Sequence, residues 1–284
     1  MNPSNANKFL IVKDYSVTKE NFELCKDTEL DLVYTHPQPQ ENQLSRYYES
    51  EDYISHTDGQ RSLFEKVYQL VKNRTLKNKI KLINRSHRQK GNLLDIGAGT
   101  GDFLLAATKN GWNGKGIEPN TKAKAIAVKK GGAFVESTVF LHSNSFDVIT
   151  MWHVLEHIPN LELQIKELKR LLKPNGTILI AVPNFNSFDA KYYGSYWAAY
   201  DVPRHLWHFS TKAITILFER EELQLEKVIP MRYDAFYVSL LSEKYKTGKM
   251  NYLSAFIIGI WSNFKAKQTL EYSSHIYVIK NSKR

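Results

Sequence analysis

The sequence predicts an α/β fold, a mostly parallel sheet with helices on both faces. Three observations carry this prediction. A short apolar strand, a glycine-rich turn and a helical pattern follow one another across residues 91–107. Apolar runs then alternate with amphipathic stretches as far as residue 182, the order of repeated βαβ units. The chain has 284 residues and is 42% hydrophobic, which suffices for the core that such a sheet requires.

Residues 1–45 are polar and irregular, with short strand-like pieces at 9–13, 22–24 and 32–35. Pro37-Gln38-Pro39 closes them as extended chain. Residues 44–58 hold Arg46, Tyr47, Tyr48, Tyr53, Ile54 and His56. Between 61 and 84 the apolar positions Leu63, Phe64, Val67, Tyr68, Leu70, Val71, Leu76, Ile80 and Leu82 recur at helical spacing. The first strand is 93–96. Gly97, Gly99 and Gly101 follow it, then a helix from Phe103. The second strand, 114–118, ends in Glu118. Asn120 can cap a helix running to Lys130, which Gly131-Gly132 ends. Residues 133–136 read as a third strand and 145–151 as a fourth. The helix at 161–172 has Leu161, Leu163, Ile165, Leu168, Leu171 and Leu172 as its apolar face. Lys173-Pro174-Asn175-Gly176 is a turn, and the fifth strand, 177–182, stops at Pro183. After an insertion at 185–209, Ser210 starts a helix with Ile214, Ile216, Leu217 and Phe218 inward. A sixth strand at 223–230, a helical excursion at 234–261 and a last strand at 274–280 complete the chain.

The glycine turn defines a ligand site. Glycine permits a tight turn and a close approach, and the amides at the helix start point outward. A dinucleotide site wants G-x-G-x-x-G. Here the register is Gly97, Gly99, Gly101, with Asp102 in the third glycine's place and Asp95 just before the turn. A carboxylate there repels a pyrophosphate and suits a ligand with a positive centre. Glu118 lies 17 residues beyond Gly101, where a carboxylate can accept both ribose hydroxyls.

Composition narrows the field. Cys25 is the single cysteine, so no intramolecular disulfide is expected. No apolar leader follows Met1, and the longest late apolar run, 255–261, is too short to span a bilayer. A cytoplasmic protein is expected. The formal net charge of +10 invites a nucleic-acid or anionic-membrane reading beside that of a solvated basic surface. The lysines are dispersed, and no aromatic-interleaved basic motif of an RNA module is present.

The string LLDIGAGTGDF followed by GKGIEPN resembles motifs I and II of the class I S-adenosylmethionine-dependent methyltransferases. SFDVITMWHVLEHIPN resembles the fourth-strand motif of that family, and LKPNGTILIAVPN its fifth-strand motif. The resemblance implies a Rossmann-like sheet of seven strands, the last antiparallel. It implies S-adenosylmethionine as cofactor, contacted by Asp95, Gly97, Ala98, Gly99, Gly101, Glu118, Pro119 and Trp152. His153 would reach the cofactor's methionine end, while Glu156 and His157 read as capping or packing residues. Segment 44–58 resembles the stretch that lies over the cofactor in this group.

The insertion, a lid on this reading, gathers Tyr192, Tyr193, Tyr196, Trp197, Tyr200, Arg204, His205, Trp207 and His208. It resembles the EH-x-x-x-FS segment of sugar and quinone methyltransferases, with His205 in the histidine's place and Arg204 where the acid would stand. That likeness implies His205 as base or orienting group, with His153 next, and Tyr200, Arg204, Trp207 and His208 as substrate contacts. Arg204 would hold an anionic acceptor. Residues 1–45 resemble a degenerate zinc-ribbon-like cap. Asn2, Asn5, Cys25 and Thr28 stand where two C-x-x-C pairs would be, so no metal is expected there. The methyltransferase domain would then be 46–284, acting on oxygen or carbon of a small-molecule acceptor. The alternatives are a non-catalytic cofactor-binding protein and an RNA methyltransferase. No Asn-Pro-Pro-Tyr motif follows the fourth strand to favour base-amine methylation.

Overall fold

The central sheet is built from β4 (Asn92–Ile96), β5 (Asn113–Ile117), β6 (Phe146–Trp152), β7 (Leu172–Pro183), β9 (Leu223–Pro230) and β10 (Ser274–Asn281). Their order across it is β5-β4-β6-β7-β10-β9. The first four are parallel; β10 runs antiparallel to both β7 and β9. The structure, a computed structural model, describes residues 6–40, 43, 46–48, 63–87 and 89–282. Positions Asn2, Asn5, Tyr53, Ile54 and His56, singled out in the sequence, lie outside the described residues.

The sheet has six strands, not the seven expected, because residues 133–136 do not extend into one. They join β5 through a single bridge, Gly116 to Phe134. Its hydrogen bonds run from Gly116 N–H to the Ala133 carbonyl and from Val135 N–H to the Gly116 carbonyl. Gly131-Gly132 before it and the turn capped by Ser137 after it leave too few residues for a ladder. The turn at 173–176 takes the form of a bulge within β7. Pairing with β6 is interrupted there, between Leu172 and Thr177.

Buried parallel strands are apolar on both faces, and this sheet divides its residues by period two. Leu94, Ile96, Ile149, Met151, Ile178 and Ile180 join one core with helices α4 (Leu161–Leu171) and α6 (Thr211–Glu219). Leu93, Val148, Leu179 and Ala181 join the other, against α1 (Leu63–Ser86) and α2 (Asp102–Lys109). Asn120 caps α3 (Thr121–Lys129), and Asn160 caps α4. Leu163, expected on the apolar face of α4, is 62% exposed, because two residues along a helix carry it about half a turn away from the buried Leu161 and Ile165. Leu70 of α1 is likewise exposed.

A second sheet joins the N-terminal segment to the insertion. It comprises β1 (Ala6–Lys13), β2 (Asn21–Asp27), β3 (Leu32–His36) and the two-residue β8 (Trp207–His208), all antiparallel. Helix α5 (Phe188–Tyr193) and two short 3-10 turns occupy much of the insertion. A third apolar cluster fills the space between: Val12, Phe22, Leu24 and Val33 pack with Phe185, Tyr193, Trp197 and Tyr200. The helical excursion is two helices, α7 (Asp234–Thr247) and α8 (Tyr252–Thr269), and α7 ends at Gly248, whose φ is +78°.

Candidate functional site

The glycine turn leaves β4 and enters α2. A Cβ at Gly97 would meet Val154 Cγ2 at 2.3 Å, whereas one at Gly99 would meet nothing within 4 Å. Gly97 is therefore fixed by packing. Gly99, with φ of +54°, faces open space and lets a ligand approach the backbone. Glu118, at the end of β5, reaches back to this turn. Gly99 N–H donates to its Oε2 at 2.8 Å, and Asn120 N–H donates to Oε1 at 2.8 Å. Pro119 and Ala98 flank the same corner, where Gly97 and Ala98 N–H donate to the Ile117 carbonyl.

Asp95 is buried beneath the turn and accepts from Thr150 Oγ1–H at 2.6 Å. Burial pushes its carboxyl up to about 7, against the Thr150 hydrogen bond and the nearby Lys79 ammonium. Lys79, on α1, is a member of the site that the sequence does not single out. Its Nζ lies 4.3 Å from the centre of the Trp152 ring. Burial lowers it to about 8, against Asp95 and Asp234. Trp152 packs edge-on to Phe103 at 5.2 Å, and its Nε1–H has no partner among the described residues. These features fit a nucleoside carrying a cationic centre: an open glycine, a carboxylate at the ribose position and an indole with an unused donor.

A cavity of about 950 Å³ runs from Asp102 and Phe103 past Lys79 and His153 to Asp201, Arg204 and His205. His153 has a positive φ of 58°. Its Nδ1 lies 3.4 Å from Glu156 Oε1 and its Nε2 lies 3.3 Å from Asp234 Oδ2. Burial works against its charge, but the Asp234 and Glu156 carboxylates prevail and raise it to about 9. Both of its nitrogens face carboxylates, an arrangement that favours the imidazolium.

His205 borders the cavity and is 9% exposed. Its Nδ1 lies 2.9 Å from the Ala199 carbonyl, and only a donating Nδ1–H makes that bond. In the neutral ring Nε2 is then the acceptor; it lies 3.9 Å from Asp201 Oδ2. Asp201, four residues earlier, brings a carboxylate near the ring but beyond hydrogen-bond reach, and its oxygens accept from Arg204; the Ala199 carbonyl, not an acid, orients the imidazole.

Arg204 is the main correction. Its guanidinium is 2% exposed and pairs with Asp14 at 3.0 Å and Asp201 at 2.6 Å. It also donates to the Tyr47 carbonyl at 2.9 Å. A side chain so engaged braces the insertion against the N-terminal segment and has little left for an anionic acceptor. Tyr200, Trp207 and His208, expected as substrate contacts, are buried away from the cavity lining. Trp207 Nε1–H donates to the Ile158 carbonyl at 2.7 Å, and His208 packs on Tyr200 at 5.3 Å. Burial holds His208 well below the usual imidazole range. The physical reason is the second sheet: these aromatics seal it against the insertion.

Glu156 and His157 do more than cap. Glu156 is fully buried, and neither carboxylate oxygen has a well-formed hydrogen bond among the described residues. Burial favours its neutral form, but the surrounding histidines outweigh it and keep the carboxyl below its ordinary range. His157 Nδ1 lies 2.9 Å from the Arg204 carbonyl, and burial next to His205 lowers this imidazole to about 4. Glu156, His157 and His205 each offer a ligand atom within 4.8 Å of the others, a set that could hold a metal ion. The 47 residues between His157 and His205 hide this cluster in the sequence.

Comparison with known proteins identifies the family and the fold. A family model for a methyltransferase domain matches residues 64–228. The ubiquinone biosynthesis O-methyltransferase of Actinobacillus pleuropneumoniae is 32% identical over 106 residues, covering 32% of this chain and 45% of its own. That of Pectobacterium carotovorum is 28% identical over 124 residues, covering 39% and 52%. The chain thus spans about half the length of the curated relatives it matches. An S-adenosylmethionine-dependent methyltransferase from Thermotoga maritima superposes with a TM-score of 0.53 at 18% identity, over 77% of this chain and 94% of that one. One from Archaeoglobus fulgidus gives 0.52 at 18%, over 75% and 94%. The match over residues 64–228 decides the family: this chain belongs to the methyltransferase domain family, the S-adenosylmethionine-dependent methyltransferases.

Proposed function

We propose that the chain transfers a methyl group from S-adenosylmethionine to an oxygen or carbon of a small-molecule acceptor, with His205 as the proton acceptor. The observation that supports this is the Nδ1–H of His205 held by the Ala199 carbonyl, which makes Nε2 the acceptor of the neutral ring, in a residue that lines the cavity. When bound, S-adenosylmethionine supplies an electrophilic methyl on a sulfonium. Gly99 and Glu118 would hold its nucleoside end and Trp152 its neighbouring atoms, while Asp95 gives the site negative charge beneath the turn. His205 Nε2 would accept the acceptor's hydroxyl proton as the methyl is transferred. Proximity and in-line alignment supply most of the rate, and the base supplies the rest. The strands of residues 1–45 serve as a cap and the insertion 185–209 as a lid over the domain 46–284. Quinone precursors enter as candidate acceptors through the ubiquinone O-methyltransferase relatives. The test is a screen of hydroxylated, quinone-like and nucleotide-sugar acceptors with methyl-labelled cofactor. Labelled cofactor that binds but gives no product with any class would favour a non-catalytic binding protein.

One observation favours a second, metal-assisted version: the buried carboxylate of Glu156, without a well-formed hydrogen bond, beside His157 and His205. There a cation would lower the acceptor's pKa and His205 would be its ligand. Turnover that survives a chelator, in protein free of bound metal by elemental analysis, retires this version.

Two expected results test the cofactor end. Glu118→Ala should weaken S-adenosylmethionine binding by about 1 to 3 kcal/mol, the scale of hydrogen bonds to a charged group. Calorimetry reads it, and Glu118→Gln separates loss of charge from loosening of the turn that Glu118 holds at Gly99. Affinity should also rise as pH is raised from about one unit below the Asp95 value to just above the Lys79 value. Asp95 loses its proton through about 7 and Lys79 through about 8, each making the site less positive. S-adenosylmethionine should therefore gain over neutral S-adenosylhomocysteine by on the order of tenfold. A flat ratio across that window would show that neither group faces the sulfonium.

A further inference from the structure

Helix α8 is packed with its small residues inward and its large apolar residues outward. Ala255, Gly259, Ser262 and Ala266 are buried, and a Cβ at Gly259 would meet Phe236 of α7 at 2.5 Å. The opposite face shows Leu253, Phe256, Ile257, Ile260, Trp261 and Phe264, each between 46% and 71% exposed. Their spacing of three and four makes one continuous stripe. From Leu253 to Phe264 it runs about 17 Å along the helix, which is a patch rather than scattered apolar residues.

Along α8 and the segment just before it the charge has one sign. From residue 244 to residue 267 every charged side chain is a lysine. Lys265 and Lys267 stand in the last turns of α8, and Lys246 and Lys249 precede it, all exposed. Lys265 Nζ lies 5.4 Å from the centre of the Trp261 ring, a cation beside an indole at the edge of the apolar face. No helix among the described residues is long and apolar enough to cross a membrane. We propose that this face docks α8 on the surface of an anionic phospholipid bilayer, the helix lying in the interface plane with its lysines among the phosphates. A second copy of the chain fits less well, since each carries +10 and would bring like charges together. Gly248 and Met250 line the cavity just before α8 begins, so a docked molecule presents the cavity mouth to lipid. An apolar acceptor could then enter without crossing water.

Vesicle binding tests this without cofactor or acceptor, so it stands or falls apart from methyl transfer. The chain is sedimented with vesicles of phosphatidylglycerol and phosphatidylcholine in equal parts, and with phosphatidylcholine alone, at low and high salt. Binding should be about tenfold or more stronger on the anionic vesicles and should weaken with salt. The double variant Ile257→Glu, Trp261→Glu should lower it about tenfold or more. Lys265→Gln with Lys267→Gln should weaken anionic binding and leave the neutral vesicles unaffected. All four positions are exposed, and circular dichroism checks that the variants stay folded. Protein that stays in the supernatant with anionic vesicles, or acidic variants that sediment like the parent, would overturn the proposal. So would a soluble dimer by sedimentation velocity that the acidic pair splits, in a chain that ignores vesicles.

Discussion

Replacing His205 with alanine is expected to lower turnover about 100-fold or more while leaving S-adenosylmethionine affinity nearly intact. The size follows from the contribution of a positioned general base. The separation of the two effects follows from where the residue sits. Its ring lies at the wall of the cavity, hydrogen-bonded to Ala199 of the insertion, whereas Gly99 and Glu118 meet at the glycine turn, outside the cavity's lining. An acceptor with its own low-pKa hydroxyl should escape most of the loss, because it needs no proton acceptor. Equal loss for acidic and weakly acidic acceptors, with cofactor affinity falling alongside, would make His205 a structural part of the cover.

Arg204→Ala is expected to destabilise the fold by about 3 to 5 kcal/mol, the scale for removing one partner of a buried ion pair. Asp14 is the reason. Its carboxylate has no exposed surface, and Arg204 faces it at 3.0 Å. Without the guanidinium, Asp14 keeps only its own turn, where Ser16, Val17 and Thr18 amides donate to it. Burial would raise the Asp14 carboxyl, but Arg204 and the Thr18 amide hold it below the ordinary carboxylate range. A depressed acid contributes stability above its unfolded pKa, and loses it as pH falls through the folded one. The gap between parent and variant, read by urea unfolding, should therefore be full at neutral pH and shrink on acidification below about 4. Loss of less than about 1 kcal/mol at neutral pH would mean that water reaches the two carboxylates.

The parts of the fold that the sequence announces are those written in short contiguous runs. Leu93 to Ile96 and Phe146 to Met151 are largely apolar on both faces, as buried strands are. The glycines that follow Ile96 mark the turn without further context, and Glu118 ends its strand where the turn can reach it. The third strand fails because a strand is defined by a partner, and residues 133–136 find one bridge. Arg204 misled for a related reason. A lone arginine beside a histidine reads as a binding group, and only the fold brings Asp14, 190 residues away, against it. Lys79 joins Glu156 and His157 at the candidate site from a distant stretch of the chain, and both stand far from His205, so no local spacing reveals the set. For α8, helical character is legible, but which face turns outward depends on the close approach to Phe236.

The short strand at Trp207 and His208 ties the beginning of the chain to a point far along it. Thr35 and His208 are 173 residues apart. During synthesis at about 5 to 20 residues per second, the N-terminal strands wait roughly 9 to 35 seconds before their fourth partner is made. Through that interval one edge of β3 is unpaired, and Asp14 lacks its counter-charge. The three strands are therefore made long before the strand that completes their sheet, so the β3 edge stays open to wrong pairings until residues 207–208 arrive, and the sheet closes only through a contact of high sequence separation.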